Sequence, residues 1–153
     1  MMTEPDGRAA VVAEAMTWIS TPWHHNSAIK GVGVDCARFP LAVYSGVGLI
    51  EPFDPKAYAR DHMLHSDEER YLGVVLGLGL GAEIKVTDVG PGDLLVWKFG
   101  RVFSHGALVT DWPQVIHATV KDAMVVLADA DRDVDLIDRP VRAFSYWARA
   151  DVR

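Results

Sequence analysis

Gly31-Val32-Gly33-Val34-Asp35-Cys36-Ala37-Arg38-Phe39 holds the only cysteine of a chain of 153 residues. Two glycines precede it, and an apolar run of Phe39, Leu41, Ala42, Val43 and Tyr44 follows. Asp35 is of the residue type that accepts a hydrogen bond from the unpaired N–H groups of a helix start, so the stretch predicts a helix opening at Cys36. Free N–H groups and the positive end of the helix dipole favour a thiolate there, which is what a cysteine nucleophile needs. The competing reading is a small buried hydrophobe, a common state of free cysteine. Pro40 complicates either reading. As the fifth residue of such a helix its ring would meet the Cys36 carbonyl, so the helix is kinked or its first turn is irregular. Ser45-Gly46-Val47-Gly48 closes it.

Upstream, Asp6 can cap a first helix running to about Ser20, with Val12, Ala15, Met16 and Ile19 on one stripe. Thr21-Pro22 ends it, and Trp23-His24-His25-Asn26 forms a loop. Downstream, Glu51 to Pro55 reads as a loop and Ala57 to Leu64 as a short helix. Ser66-Asp67-Glu68-Glu69 is a capping box for a helix carrying Leu72, Val75 and Leu76. Glycines 73, 77, 79 and 81 weaken and end that helix; no Gly-Lys-Ser/Thr follows, so they do not form a phosphate loop. From Ile84 the texture is that of strands. Leu94 to Phe99 follows the turn Pro91-Gly92-Asp93, and His105 to Val109 comes next. Asp111-Trp112-Pro113 leads into Gln114 to Val120, and Lys121-Asp122 into Met124 to Ala128. Acidic Asp129 to Asp133 is a solvated loop before a last strand, Val141 to Trp147. Helices first and an antiparallel meander later define an α+β class, a single domain over residues 1–153 with N-terminal helices packed on a C-terminal antiparallel sheet.

The net charge of −6 offers no electrostatic footprint for nucleic acid or an anionic membrane. One cysteine cannot form an internal disulfide. Met1 to Arg8 lacks the apolar core of a signal peptide, and no stretch approaches the about 20 apolar residues of a membrane span.

A cysteine nucleophile requires a base, and a histidine base gains from a third group that fixes its tautomer. His105 and His117 lie on consecutive predicted strands with a turn near Asp111. A loop centred on Asp111 would place the two directly opposite each other; one centred between 111 and 112 would pair His105 with Ala118 instead. The alternative is two unrelated polar residues in strands.

Asp35-Cys36, Pro91-Gly92-Asp93-Leu94-Leu95, Ser104-His105-Gly106-Ala107-Leu108-Val109 and Ile116-His117-Ala118, in that order, resemble the NlpC/P60 family of papain-like cysteine peptidases. The resemblance spans about Trp18 to Trp147. Three further segments resemble a compact branch encoded in phage and gene-transfer-agent tail clusters: Thr21-Pro22-Trp23-His24-His25, Lys30 to Cys36, and Arg139-Pro140-Val141-Arg142-Ala143-Phe144. The resemblance implies a papain-like fold with Cys36 as nucleophile, His105 as base and His117 orienting it. It implies cleavage of peptidoglycan stem peptides, commonly between D-γ-glutamyl and a diamino acid, without a metal or organic cofactor. It further implies tail-tip or baseplate proteins as partners, and a place in the virion tail, or in the cytoplasm before assembly. Trp23, His24, Asp35 and Arg38 are the expected site-lining residues. Trp23 stands where the family usually has tyrosine, and Asp-Cys-Ala-Arg replaces Asp-Cys-Ser-Gly, putting a charged Arg38 near the cleft. A structural tail protein with lapsed chemistry, and a thiol amidase or acyltransferase on the same fold, are the rival expectations. His62 and His65 lack a partner spaced to complete a metal site, and Asp93 is expected to be structural.

Overall fold

The alternation of buried residues along one strand shows how the protein is layered. In the computed structural model, which describes residues 2–52, 70–77, 79 and 81–148, β4 (Leu94–Phe99) has its first four residues fully or nearly buried. Leu94 and Val96 face a core built from helices. Leu95 and Trp97 face a second core on the other side of the sheet. A strand covered on both faces reads as an unbroken apolar run rather than an alternating one, as this one does.

The helical side holds α1 (Glu4–Met16), α2 (Arg38–Gly46) and α3 (Arg70–Gly77). These contribute Val11, Ala15, Phe39, Leu41, Val43, Tyr44, Tyr71 and Val75 against Leu94, Val96, Leu108, Ile116 and Phe144 of the sheet. A two-residue pair of strands, β1 (Ala28–Ile29) and β2 (Gly33–Val34), precedes α2. The main sheet adds β3 (Ala82–Ile84), β5 (Val102–Asp111), β6 (Gln114–Thr119), β7 (Met124–Asp129) and β8 (Val141–Ser145). Its order is β3-β8-β4-β5-β6-β7, antiparallel throughout. The second core is closed by Ala130 and Leu136 of the segment after β7, against Leu95, Trp97, Ala107, Val109, Val115 and Ala143. The α+β class and the helices-on-sheet arrangement are those expected.

Three local expectations are corrected. The hydroxyl of Thr3, not the carboxylate of Asp6, caps α1, accepting from the Asp6 N–H at 3.2 Å. The buried stripe is accordingly Gly7, Val11 and Ala15, continued by Trp18, and Met16 is 44 % exposed. The chain's last strand, β8, does not extend the meander but lies between β3 and β4. The helix expected over Ala57 to Leu64, the capping box at Ser66 to Glu69, and His62 and His65 lie outside the described residues.

The Pro91-Gly92-Asp93 turn ties the helices to the sheet. Fully buried Asp93 accepts from Arg8 Nη1 of α1 at 3.0 Å and from the Gly90 N–H at 2.9 Å. Tyr44 of α2 donates its hydroxyl to the Gly92 carbonyl at 2.6 Å. Asp93 is thus structural, its charge paired as burial requires. Gly81, at φ +96°, lies so close to β8 that a Cβ would fall 1.6 Å from the Ser145 carbonyl oxygen; only glycine fits there. No helix among the described residues is long and apolar enough to cross a membrane.

Candidate active site

Asp35 fixes the start of α2. Its Oδ1 accepts the Arg38 N–H at 3.0 Å and its main-chain carbonyl accepts the Phe39 N–H at 3.0 Å. The N-cap position itself falls at Ala37, which has no side-chain cap, and not at Asp35 as expected. The regular helix accordingly begins at Arg38, leaving Cys36 and Ala37 in an irregular first turn. Pro40 thereby falls in the first turn of α2, where its missing N–H would have no helical partner anyway. The other carboxylate oxygen, Oδ2, accepts the Asn26 N–H at 2.9 Å and the Arg38 guanidinium. Arg38 is only 3 % exposed. The expectation that it brings a charge into the cleft is therefore corrected: it is buried in an ion pair with Asp35, which is equally buried. Both shape the turn that carries the cysteine.

The thiol departs from the sequence-based expectation of a stabilised thiolate. Some surface of Cys36 reaches solvent, yet burial of the sulfur's surroundings and then the Asp35 charge push its pKa up to about 12. The N–H groups of Cys36 and Ala37 and the charge of Arg38 act in the other direction and do not prevail. Alkylation of Cys36 by iodoacetamide is therefore expected to be slow at pH 7 and to keep accelerating above pH 9. A rate that levels off by pH 8 would refute this.

His105 sits across from Trp97 in the β4–β5 ladder and stacks on Phe99, with ring centroids 4.6 Å apart. His105 Nε2 and His117 Nδ1 lie 2.8 Å apart, with the ring planes at 84°. The two rings meet, but not by the direct opposition expected. The β5–β6 ladder pairs Leu108 with Ile116 and Val109 with Val115 and closes at Asp111↔Gln114, with an irregularity at residues 109–111. That register sets His117 across from Ala107, so His105 is its diagonal neighbour, still within reach of a ring side chain. Both histidines are held neutral. Burial lowers the pKa of each. His105 is lowered further because a proton on it would be repelled by one on His117 and by the charge of Arg139, whereas Asp133 pulls His117 partly back up.

Gly106 joins the two halves of the site. A Cβ on it would lie 2.6 Å from the Tyr71 hydroxyl, 2.9 Å from Pro40 Cγ and 3.3 Å from the Cys36 carbonyl oxygen. The bare glycine lets the α2 start and α3 settle directly on β5, so the Cys36 main chain adjoins the strand one residue from His105. His105 itself packs against Trp97 and Phe99. Among the described residues no hydrogen bond joins Cys36 to either imidazole. The structure thus brings His105 and His117 together, sets Cys36 beside their strand, and leaves sulfur and imidazole unjoined.

Of the remaining expected residues, Trp23 stacks on His25 at 6.2 Å, and its indole N–H is buried without a hydrogen-bond partner among the described residues. The His24 side chain turns onto the glycine loop: a Cβ on Gly33 would lie 2.7 Å from its Cβ, and its Nδ1 is 3.1 Å from the His25 carbonyl oxygen. His25 Nδ1 lies 4.0 Å from Asp35 Oδ2. Sequence reasoning missed Gly106 and Tyr71 as determinants of the site; a glycine directly after His105, the expected base, was the available signal. No group of three or more His, Cys, Asp or Glu among the described residues could hold a metal ion.

No family model and no curated protein matches the sequence. Among solved structures 34 chains match. The NlpC/p60 domain of the peptidoglycan hydrolase SagA is 26 % identical, with a TM-score of 0.60 over 90 % of this chain and 97 % of that one. NlpC1 from Trichomonas vaginalis is 18 % identical with a TM-score of 0.66 over 97 % of this chain, which spans about half (47 %) of the Trichomonas chain. RipD from Mycobacterium tuberculosis, described as a non-catalytic NlpC/p60 domain protein adapted to peptidoglycan binding, is 14 % identical with a TM-score of 0.58, over 90 % of this chain and 95 % of its own. The fold, helices on one face of an antiparallel sheet, matches that of NlpC/P60 domains.

Proposed function

We propose that the protein is a cysteine peptidase that hydrolyses the peptide stems of peptidoglycan. The observation that carries this reading is the His105–His117 hydrogen bond on a strand packed against the turn that bears Cys36. With Nε2 of His105 engaged by His117, its Nδ1 is the ring nitrogen left to exchange a proton with the thiol. Cys36 and His105 both rest uncharged, so the thiol proton passes to Nδ1 as the sulfur attacks the amide carbon. The oxyanion that forms is met by the N–H groups of Cys36 and Ala37, donors fixed in place before reaction. His105, now an imidazolium, protonates the departing amine as the C–N bond breaks. Water, deprotonated by His105, then hydrolyses the thioester and restores the thiol. Attack requires the sulfur to come within hydrogen-bond reach of Nδ1.

The motifs around Cys36, His105 and His117 that resemble the NlpC/P60 family support a D-γ-glutamyl-diamino acid bond as the target, and the segments Thr21 to His25, Lys30 to Cys36 and Arg139 to Phe144, which resemble the tail-cluster branch, support a place in a phage tail tip beside other tail or baseplate proteins. A second reading, wall binding or a structural tail role without catalysis, is favoured by the unjoined sulfur and imidazole and by the raised thiol pKa. Zymography on purified peptidoglycan separates the two. Wild type is expected to clear the substrate, and Cys36→Ala to lose roughly 10³-fold or more of that activity. Failure of the wild type to clear it would favour the second reading. Mass analysis of the fragments distinguishes peptide cleavage from amidase or acyl-transfer chemistry.

A further inference from the structure

His117 is 1 % exposed, and its Nε2 is buried with no hydrogen-bond partner among the described residues. Buried polar nitrogens are nearly always satisfied, by protein or by ordered water. The ring lies on the sheet face covered by the segment after β7: Ala130 and Leu136 pack against Val115, two residues along the same face. The charged groups acting on His117 are Asp133, Lys121, Asp122 and Asp135, with Asp133 foremost. Its carboxylate is only 9 % exposed and is held on two sides. Oδ2 lies 3.4 Å from Lys121 Nζ, and Oδ1 accepts the Asp135 N–H at 2.8 Å. The Asp133 carbonyl also accepts the N–H groups of Leu136 and Ile137 at 3.0 and 2.9 Å. A fixed carboxylate with lone pairs to spare and an unpartnered ring nitrogen therefore share one side of the sheet.

We propose that Asp133 is a positioning residue for the imidazole pair, its carboxylate accepting the Nε2–H of His117 through one bridging water. This assignment rests on the hydrolase reading for its consequence, though not for its geometry. With its proton on Nε2, His117 offers the bare Nδ1 to His105. His105 must then carry its own proton on Nε2, which leaves the Nδ1 lone pair to take the thiol proton. The opposite tautomer of His117 would donate from Nδ1, force the His105 proton onto Nδ1, and remove the base. One carboxylate on a surface segment thus sets the direction of the proton transfer two rings away.

Imidazole ¹⁵N spectra of the full chain test this without substrate. Wild-type His117 should be the Nε2–H tautomer. Asp133→Asn and Asp133→Ala should turn it into a mixture, while Lys121→Met, which removes the ion pair but keeps the carboxylate, should leave it unchanged. In parallel, kcat should fall about 10²-fold in Asp133→Asn with KM preserved. A wild-type Nδ1–H tautomer, or a tautomer insensitive to both Asp133 substitutions, overturns the assignment. If the tautomers follow the expected pattern while the wild type cleaves no peptidoglycan, the hydrolase reading fails and the positioning role stands.

Discussion

Gly106→Val is expected to abolish measurable peptidoglycan hydrolysis and to cost about 1–3 kcal/mol of stability. The site depends on two layers approaching more closely than side chains normally allow. The hydroxyl end of Tyr71 can swing away from an added methyl, but the Pro40 ring, 2.9 Å from it, is rigid and belongs to the first turn of α2. Any accommodation therefore lifts the α2 start, and Cys36 with it, off β5. A displacement of about 1 Å at a reacting atom is enough to lose about 10²-fold in rate. Alanine should fall between glycine and valine in both respects. Gly73, exposed on α3 with nothing near its added Cβ, supplies the control: Gly73→Ala should be neutral or stabilising by up to about 1 kcal/mol. Urea denaturation and a turbidity assay on the three variants decide the matter. Wild-type stability and activity in Gly106→Val would mean that the contact is not what holds the cysteine.

Mild acid should destabilise the protein well before its carboxylates titrate. Burial lowers the pKa of both His105 and His117 below the ordinary 6.5, so below that pH the unfolded chain takes up protons that the folded chain refuses. Stability from this source is complete above about pH 6.5 and is lost as pH falls toward the folded-state values. Each histidine contributes up to about 1.4 kcal/mol per pH unit in that window. Urea midpoints measured from pH 7.5 to 5 should therefore drop steeply, and the drop should be shallower in His117→Gln, which carries one titrating ring fewer. A flat profile across that range would show that the rings are not buried neutral. The same property bears on the proposed chemistry: an imidazole reluctant to hold a proton is a weak base at rest, and its imidazolium, once formed, is a correspondingly strong acid toward the departing amine.

Some of this was legible from residues alone. The β4 boundaries followed from a turn signal and an apolar run, both local. That His105 and His117 meet followed from a two-strand argument, although the register did not, because the irregularity at residues 109–111 leaves no mark in composition. Arg38 was misplaced for a related reason. A charge after a cysteine at a helix start looks solvent-facing until its partner is known, and nothing in the sequence marks Asp35, a cap and site-lining candidate, as that partner. The raised thiol pKa was likewise hidden, since the helix terminus is visible in sequence and the burial opposing it is not. Gly106 could have been singled out by its position beside the base, but the partners it accommodates, Pro40 and Tyr71, lie more than thirty positions upstream.

The placement of β8 has a consequence for how the molecule is made. Residues 141–145 come late in the chain yet occupy the slot between β3 and β4. During synthesis that slot stays vacant until every other strand of the sheet has left the ribosome, with Leu94 to Trp97 offering an open, apolar edge in the meantime. Such edges recruit other chains. A nascent chain stalled or clipped before Val141 would thus be a seed for aggregation rather than a smaller, working version of the protein.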